Sequence, residues 1–182
     1  SRVEDLVRRI RELVRRDLKR IKDLEEEIKR LAEEIERHSK KVVDELKELA
    51  DRLRKMLEEG NLREEDIDRV RKEMERLLEE NKRESDKLVR RLEELVKDSE
   101  RHSARVVEEL EKLVETIRSE GVEKEKVDDI RREVKRVVRE SEEANKRVRK
   151  LVEDIVKRAE DSNRRVEELV RELVEDLKRA AK

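Results

Sequence analysis

The 182-residue chain has no cysteine, no proline and no Phe, Trp or Tyr, and it has only two glycines. Each absence removes a class of protein. Without cysteine there are no disulfides and no thiolate metal sites, and the redox compartment stays open. Without aromatics there is no stacking platform for single-stranded nucleic acid. The 52 basic and 53 acidic residues are interleaved along the whole chain, so no basic face is available for a nucleic-acid duplex. Charged residues break up every apolar stretch. No run approaches the ~20 residues of a membrane span, and no signal-peptide-like hydrophobic region is present. Localisation is not legible from these features.

Charged residues make up 58% of the chain and apolar residues 33%. Charge at that level permits disorder, and the placement of the apolar residues decides against it. Gly60 and Gly121 cut the chain into near-equal thirds, each at the end of a periodic segment where a residue with positive φ closes a helix. Within each third, apolar residues recur in steps of three and four, as on the buried face of a helix. Val7, Ile10, Val14, Ile21, Leu24 and Ile28 mark the first stripe. Flanking Leu6, Leu13, Leu78, Val96, Val114, Val138, Val156 and Val170 widen the stripes to about three positions per heptad, which suits a closed bundle. The expectation is an all-α chain forming one domain over residues 1–182. Its fold is a long, nearly straight, antiparallel (up-down-up) three-helix bundle with helices over about 2–59, 62–119 and 123–181. Ser1 with Glu4, and Asn61 with Glu64, have the spacing of capping boxes. The third helix has the poorer start, because Val122 is a weak cap although Glu123 and Glu125 suit a helix N-terminus.

A rival parse places loops at residues 79–87, 97–105, 139–147 and 158–165, where Ser, Asn and Asp gather. None of these stretches contains Gly or Pro, and the three–four phase passes through each of them, so unbroken helices are expected.

The polar residues on the stripes carry the remaining information. With turns at Gly60 and Gly121, residues of the first two helices lie level when their numbers sum to about 122, and those of the second and third when they sum to about 242. Two layers result, each drawing on all three helices. One holds Asp17, Ser99, His102, Ser141 and Asn145. The other holds His38, Asn81, Ser85 and Ser162, with Ser39 or Asn163 at its edge. A buried polar group without a partner costs about 1–3 kcal/mol. Such layers are therefore tolerable only in the register that pairs donors with acceptors, and they oppose slipped registers.

Two sharper readings of the same residues fail. Asp17, His102 and Ser99 have the composition of a nucleophile triad, but mid-helix backbone amides are already bonded and no Gly-rich loop exists to supply an oxyanion site. No enzyme activity and no small-molecule substrate are expected. A carboxylate-bridged metal centre needs Glu three residues before His. Ile35 and Ser99 stand at those places, so neither metal nor cofactor is expected.

His38-Ser39, Asn81 with Ser85, Ser99 with His102-Ser103, Ser141 with Asn145 and Ser162-Asn163, set in aliphatic stripes, resemble the de novo designed helical bundles that carry buried hydrogen-bond networks. The resemblance covers the whole chain and implies a structural scaffold. Spectrin-type repeats, the natural counterpart, are less similar because this chain has no aromatic residue. A monomer is the expected state. The alternative is a module that offers an apolar groove to a helical partner or self-associates. Helices of about 58 residues span about 87 Å each, so small-angle scattering should give a maximum dimension near that length. A value near ~50 Å would mean that the polar stretches are loops.

Overall fold

The computed structural model describes residues 1–180. It contains three α-helices: α1 (Arg2–Glu58), α2 (Glu64–Ser119) and α3 (Lys124–Ala180). Residue 181, expected at the end of the third helix, lies outside the described residues. The Ser- and Asn-rich stretches are helical throughout. With no Gly or Pro between the caps, nothing in them breaks the backbone ladder.

The ends are set by local chemistry. The Ser1 hydroxyl accepts the Glu4 amide at 3.3 Å and caps α1. At the other end Asn61 N–H reaches the Met56 carbonyl at 2.9 Å, and Gly60 N–H reaches that of Leu57 at 3.1 Å. These two bonds form a Schellman motif around Gly60, whose φ is +71°. Asn61 is thus consumed in ending α1 and does not cap α2, and the second helix begins at Glu64 rather than near 62. Its cap is Arg63, whose carbonyl accepts Asp66 and Ile67 amides and whose own amide is held by the Asp66 carboxylate at 3.2 Å. Glu123 caps α3 by accepting the Val127 amide at 3.2 Å, following Gly121 at φ +77°. Acidic residues fill the first turns (Glu4, Asp5, Glu64, Glu65) and basic ones the last (Lys55, Arg118, Lys178), each favoured by the helix dipole.

Burial follows one rule in all three helices, a stripe stepping 3-4-3-4-4. In α1 it runs Val3, Leu6, Ile10, Leu13, Asp17, then Ile21, Leu24, Ile28, Leu31, Ile35, then Ser39, Val42, Leu46, Leu49, Leu53. In α2 the same steps start at Ile67, Ser85 and Ser103, and in α3 at Val127, Asn145 and Asn163. None of these positions is exposed. Each cycle is 18 residues, which is five turns at about 3.6 residues per turn. A stripe with that period stays on one face without the drift that a strict heptad accumulates.

The chain forms two compact units, Ser1–Lys29 with Leu92–Glu153, and Arg30–Arg91 with the chain from Asp154 onward. In the first, Ile10 packs with Leu110, Leu113, Val114, Ile117 and Val134. There Arg2 meets Glu120 and Arg9 meets Glu109, so numbers fall along α2 as they rise along α1 and the two segments are antiparallel. Arg131 with Glu115 and Arg149 with Glu100 show the same for α2 and α3. In the second unit Val42, Leu46, Leu53, Met74, Leu77, Val166, Val170 and Leu173 form the core. Each such side chain contributes about 1.5–3 kcal/mol by leaving water.

The outer faces carry short-range pairs such as Arg8–Asp5, Arg54–Asp51 and Arg101–Asp98. Arg76 holds the Glu73 carboxyl below the usual carboxylate range, chiefly through its hydrogen bond to it. Exposed pairs of this kind are screened by solvent and add little, so the apolar stripes dominate the stability.

Nothing lies within 4 Å of a Cβ built on Gly60 or Gly121, so a side chain there meets only the penalty of its left-handed backbone. Gly60→Ala and Gly121→Ala should each cost roughly 1 kcal/mol in denaturant melts. Gly60→Asn should cost less, because Asn tolerates that conformation. Neutral alanine variants would contradict this account of the turns.

Candidate functional site

The two groups of buried polar side chains differ in how fully they are bonded. The first lies in the first unit, where Asp17 is 3% exposed. Asp17 Oδ1 accepts Arg20 Nε at 3.2 Å and Nη2 at 2.9 Å. Its Oδ2 accepts the Ser103 and Ser141 hydroxyls, both at 3.0 Å. Arg20 reaches across to α2, donating from Nη1 to Ser99 Oγ at 3.0 Å and from Nη2 to the Ser99 carbonyl at 3.2 Å and Ser103 Oγ at 3.1 Å. Ser99 Oγ donates to Asn145 Oδ1 at 2.7 Å. Asn145 Nδ2 donates to Ser103 Oγ at 2.8 Å and to the Ser141 carbonyl at 3.1 Å. All three helices take part, and Ser103 Oγ is saturated, with one proton given and two accepted.

His102 was expected in this layer, and the structure corrects that. Its side chain is 46% exposed, with Nε2 4.0 Å from Asp17 Oδ1, too far for a hydrogen bond. The buried position is Ser103, one residue on. Arg20 is the other member that the sequence reading missed. Its stem carries the guanidinium inward to a side-chain exposure of 28%, as long charged side chains can. The triad composition does not become a triad, because Ser99 bonds Asn145 and Arg20 and makes no bond to His102. Among the described residues no three His, Cys, Asp or Glu groups gather as a metal site would require.

The second layer lies in the second unit. Asn81, 1% exposed, donates from Nδ2 to Asn163 Oδ1 at 3.0 Å, and Asn163 Nδ2 donates to Ser85 Oγ at 3.2 Å. Ser162 was expected here, but Asn163 makes the bonds and Ser162 is half-buried beside it. From α1, Ser39 is buried and His38 is half-buried. Two buried atoms, His38 Nε2 and Asn81 Oδ1, have no hydrogen-bond partner.

His102 and Ser162 share one error. Each lies a step of three from its predecessor on the stripe, Ser99 or Ala159, where the buried stripe takes four to Ser103 and Asn163. A step of three at the end of an 18-residue cycle, natural to a heptad, lands one residue short of the stripe.

No protein-family model matches the chain, and no curated protein matches it. A solved structure described as a "Computationally designed three helix bundle" is similar over 99% of this chain and 90% of its own, with a TM-score of 0.89 and 21% sequence identity. The chain is a three-helix bundle. At that identity the likeness concerns the fold, and the polar layers stand on their own geometry.

Ser103→Ala would leave Arg20 Nη2, Asn145 Nδ2 and Asp17 Oδ2 each short of a partner, and should cost about 1–3 kcal/mol in denaturant melts. His102→Ala should change stability by no more than about 0.5 kcal/mol. The reverse ranking would place His102, not Ser103, on the buried stripe.

Proposed function

We propose that the chain is a designed structural scaffold with no natural biochemical activity, in which two buried polar layers specify register and helix order. The observation that carries this reading is the Asp17 layer. Its carboxylate, guanidinium, amide and hydroxyls bond one another across three helices, leaving the Asp17 and Ser103 oxygens no vacancy for a reacting group. Moving one helix by a heptad would set these groups against Leu and Val, at about 1–3 kcal/mol for each neutral group left unpaired and more for the charged ones. A design origin is supported by the aromatic-free composition and the repeated 18-residue cycle. The description of the structurally similar bundle as computationally designed supports it as well.

A second reading, a module for a helical partner, draws on one feature. A groove of about 520 Å³ between α2 and α3 in the first unit is lined by Val114, Val134 and Val138 between charged rims. Against it, Leu57 at 38% is the one large hydrophobic among the described residues that is exposed. Light scattering over a concentration series should return the 22.1 kDa monomer, and a mass rising with concentration would favour the module.

The register role can be tested with the chain's own apolar alternatives. Eighteen-residue steps from the Asp17 layer lead to Leu53, Met56, Ile117, Ile67, Leu177 and Val127. Asp17→Leu, Arg20→Met, Ser99→Ile, Ser103→Ile, Ser141→Leu and Asn145→Val combined should keep or raise stability, as replacing a whole buried charged layer often does. The expected loss is uniqueness, seen as mixed masses or doubled NMR resonances. A combined variant that stays a single, uniquely folded monomer would end the register proposal.

A further inference from the structure

The 18-residue cycle relates the two polar layers residue by residue. Arg20 maps to His38, Ser99 to Asn81, Ser103 to Ser85, and Asn145 to Asn163. Two hydrogen bonds map with them. The bond from Ser99 Oγ to Asn145 Oδ1 becomes that from Asn81 Nδ2 to Asn163 Oδ1. The bond from Asn145 Nδ2 to Ser103 Oγ becomes that from Asn163 Nδ2 to Ser85 Oγ. Asp17 and Ser141, which bond each other, are replaced by Ile35 and Ala159, so that acceptor and donor leave together. One correspondence remains open. Arg20 Nη1 donates to Ser99 Oγ at 3.0 Å, and the equivalent pair is His38 and Asn81.

Among the residues of the two layers, these are the two with a buried atom that lacks a hydrogen-bond partner, His38 Nε2 and Asn81 Oδ1. Asn81 Oδ1 can only accept. His38 Nε2 supplies the matching donor if the imidazole carries its proton there. Both atoms are buried from solvent. We infer that His38 is held as the Nε2–H tautomer, donating to Asn81 Oδ1, and that it performs in the second layer the cross-helix role that Arg20 performs in the first. That bond ties α1 into a layer whose other bonds run between α2 and α3. Choosing His over Arg also fits the loss of the carboxylate. A guanidinium is always charged, and without Asp17's counterpart it would be buried unpaired, whereas imidazole can donate while neutral.

This inference deepens the structural reading of the layers and rests on it. Its test is separate from the layer replacement, because it reads a proton position in the unmodified chain. In ¹⁵N-labelled protein above the titration range of histidine, His38 should show Nε2 protonated and Nδ1 bare. Its Nε2 proton should exchange about tenfold more slowly than that of exposed His102, the protection of one ordinary hydrogen bond. Asn81→Leu removes the acceptor and should erase that difference. A dominant Nδ1–H tautomer would overturn the inference, since it requires Asn81 turned over with its amide nitrogen donating to Nε2. So would exchange at the His102 rate in the unmodified chain, or slow exchange that survives Asn81→Leu.

Discussion

A helix of 57 residues stays buried along one face only if its apolar pattern advances at the helix's own pitch, and every other feature of this protein follows from meeting that constraint. The stripe repeats every 18 residues, five turns at about 3.6 residues per turn. A pure heptad would drift by about 20° per repeat and would require supercoiling to keep its seam turned inward. Here the extra step of four at the end of each cycle cancels the drift. Ile10, Ile28 and Leu46 therefore sit at equivalent places in α1, as do Met74, Leu92 and Leu110 in α2, and all six are buried.

Such regularity has a cost in specificity. A stripe that repeats without change fits its neighbours nearly as well after a shift of one cycle, because Leu, Ile and Val contacts are not directional. Hydrogen bonds are directional, and polar atoms left unpaired in a dry core are penalised. Both polar layers fall where one cycle joins the next, at Asp17 to Ile21 and Ile35 to Ser39 in α1. They also differ from each other, since Asp17, Arg20 and Ser141 have Ile35, His38 and Ala159 as counterparts. A shift by one cycle would set unlike layers against one another, so the difference supports the register role proposed for them.

The first layer also shows how a buried carboxylate can be accommodated in an aliphatic core. Asp17 faces four donor contacts from Arg20, Ser103 and Ser141. Removing a single partner is costly, while replacing the whole set by apolar residues need not be. On the register role proposed above, the layer contributes selection among folds rather than a net gain in stability.

The all-helical class, the turns at both glycines and the identity of most core residues were legible in the sequence, because composition and three–four spacing act through local backbone geometry. Asp17, Ser99, Ser141 and Asn145 were legible as interruptions of an apolar stripe, as were Asn81 and Ser85. Tertiary structure alone decided which neighbour of an adjacent pair points inward. His102 gave way to Ser103 and Ser162 to Asn163, since one residue is about 100° of rotation and the spacing by itself allowed either step. It also decided that Arg20 belongs to the core layer. An arginine beside a stripe reads as surface, and only a facing Ser99, Ser103 and Asp17 give its guanidinium a reason to turn inward. Periodicity fixes the face of a helix to within one residue, while the hydrogen-bonding partners on the other two helices fix the residue.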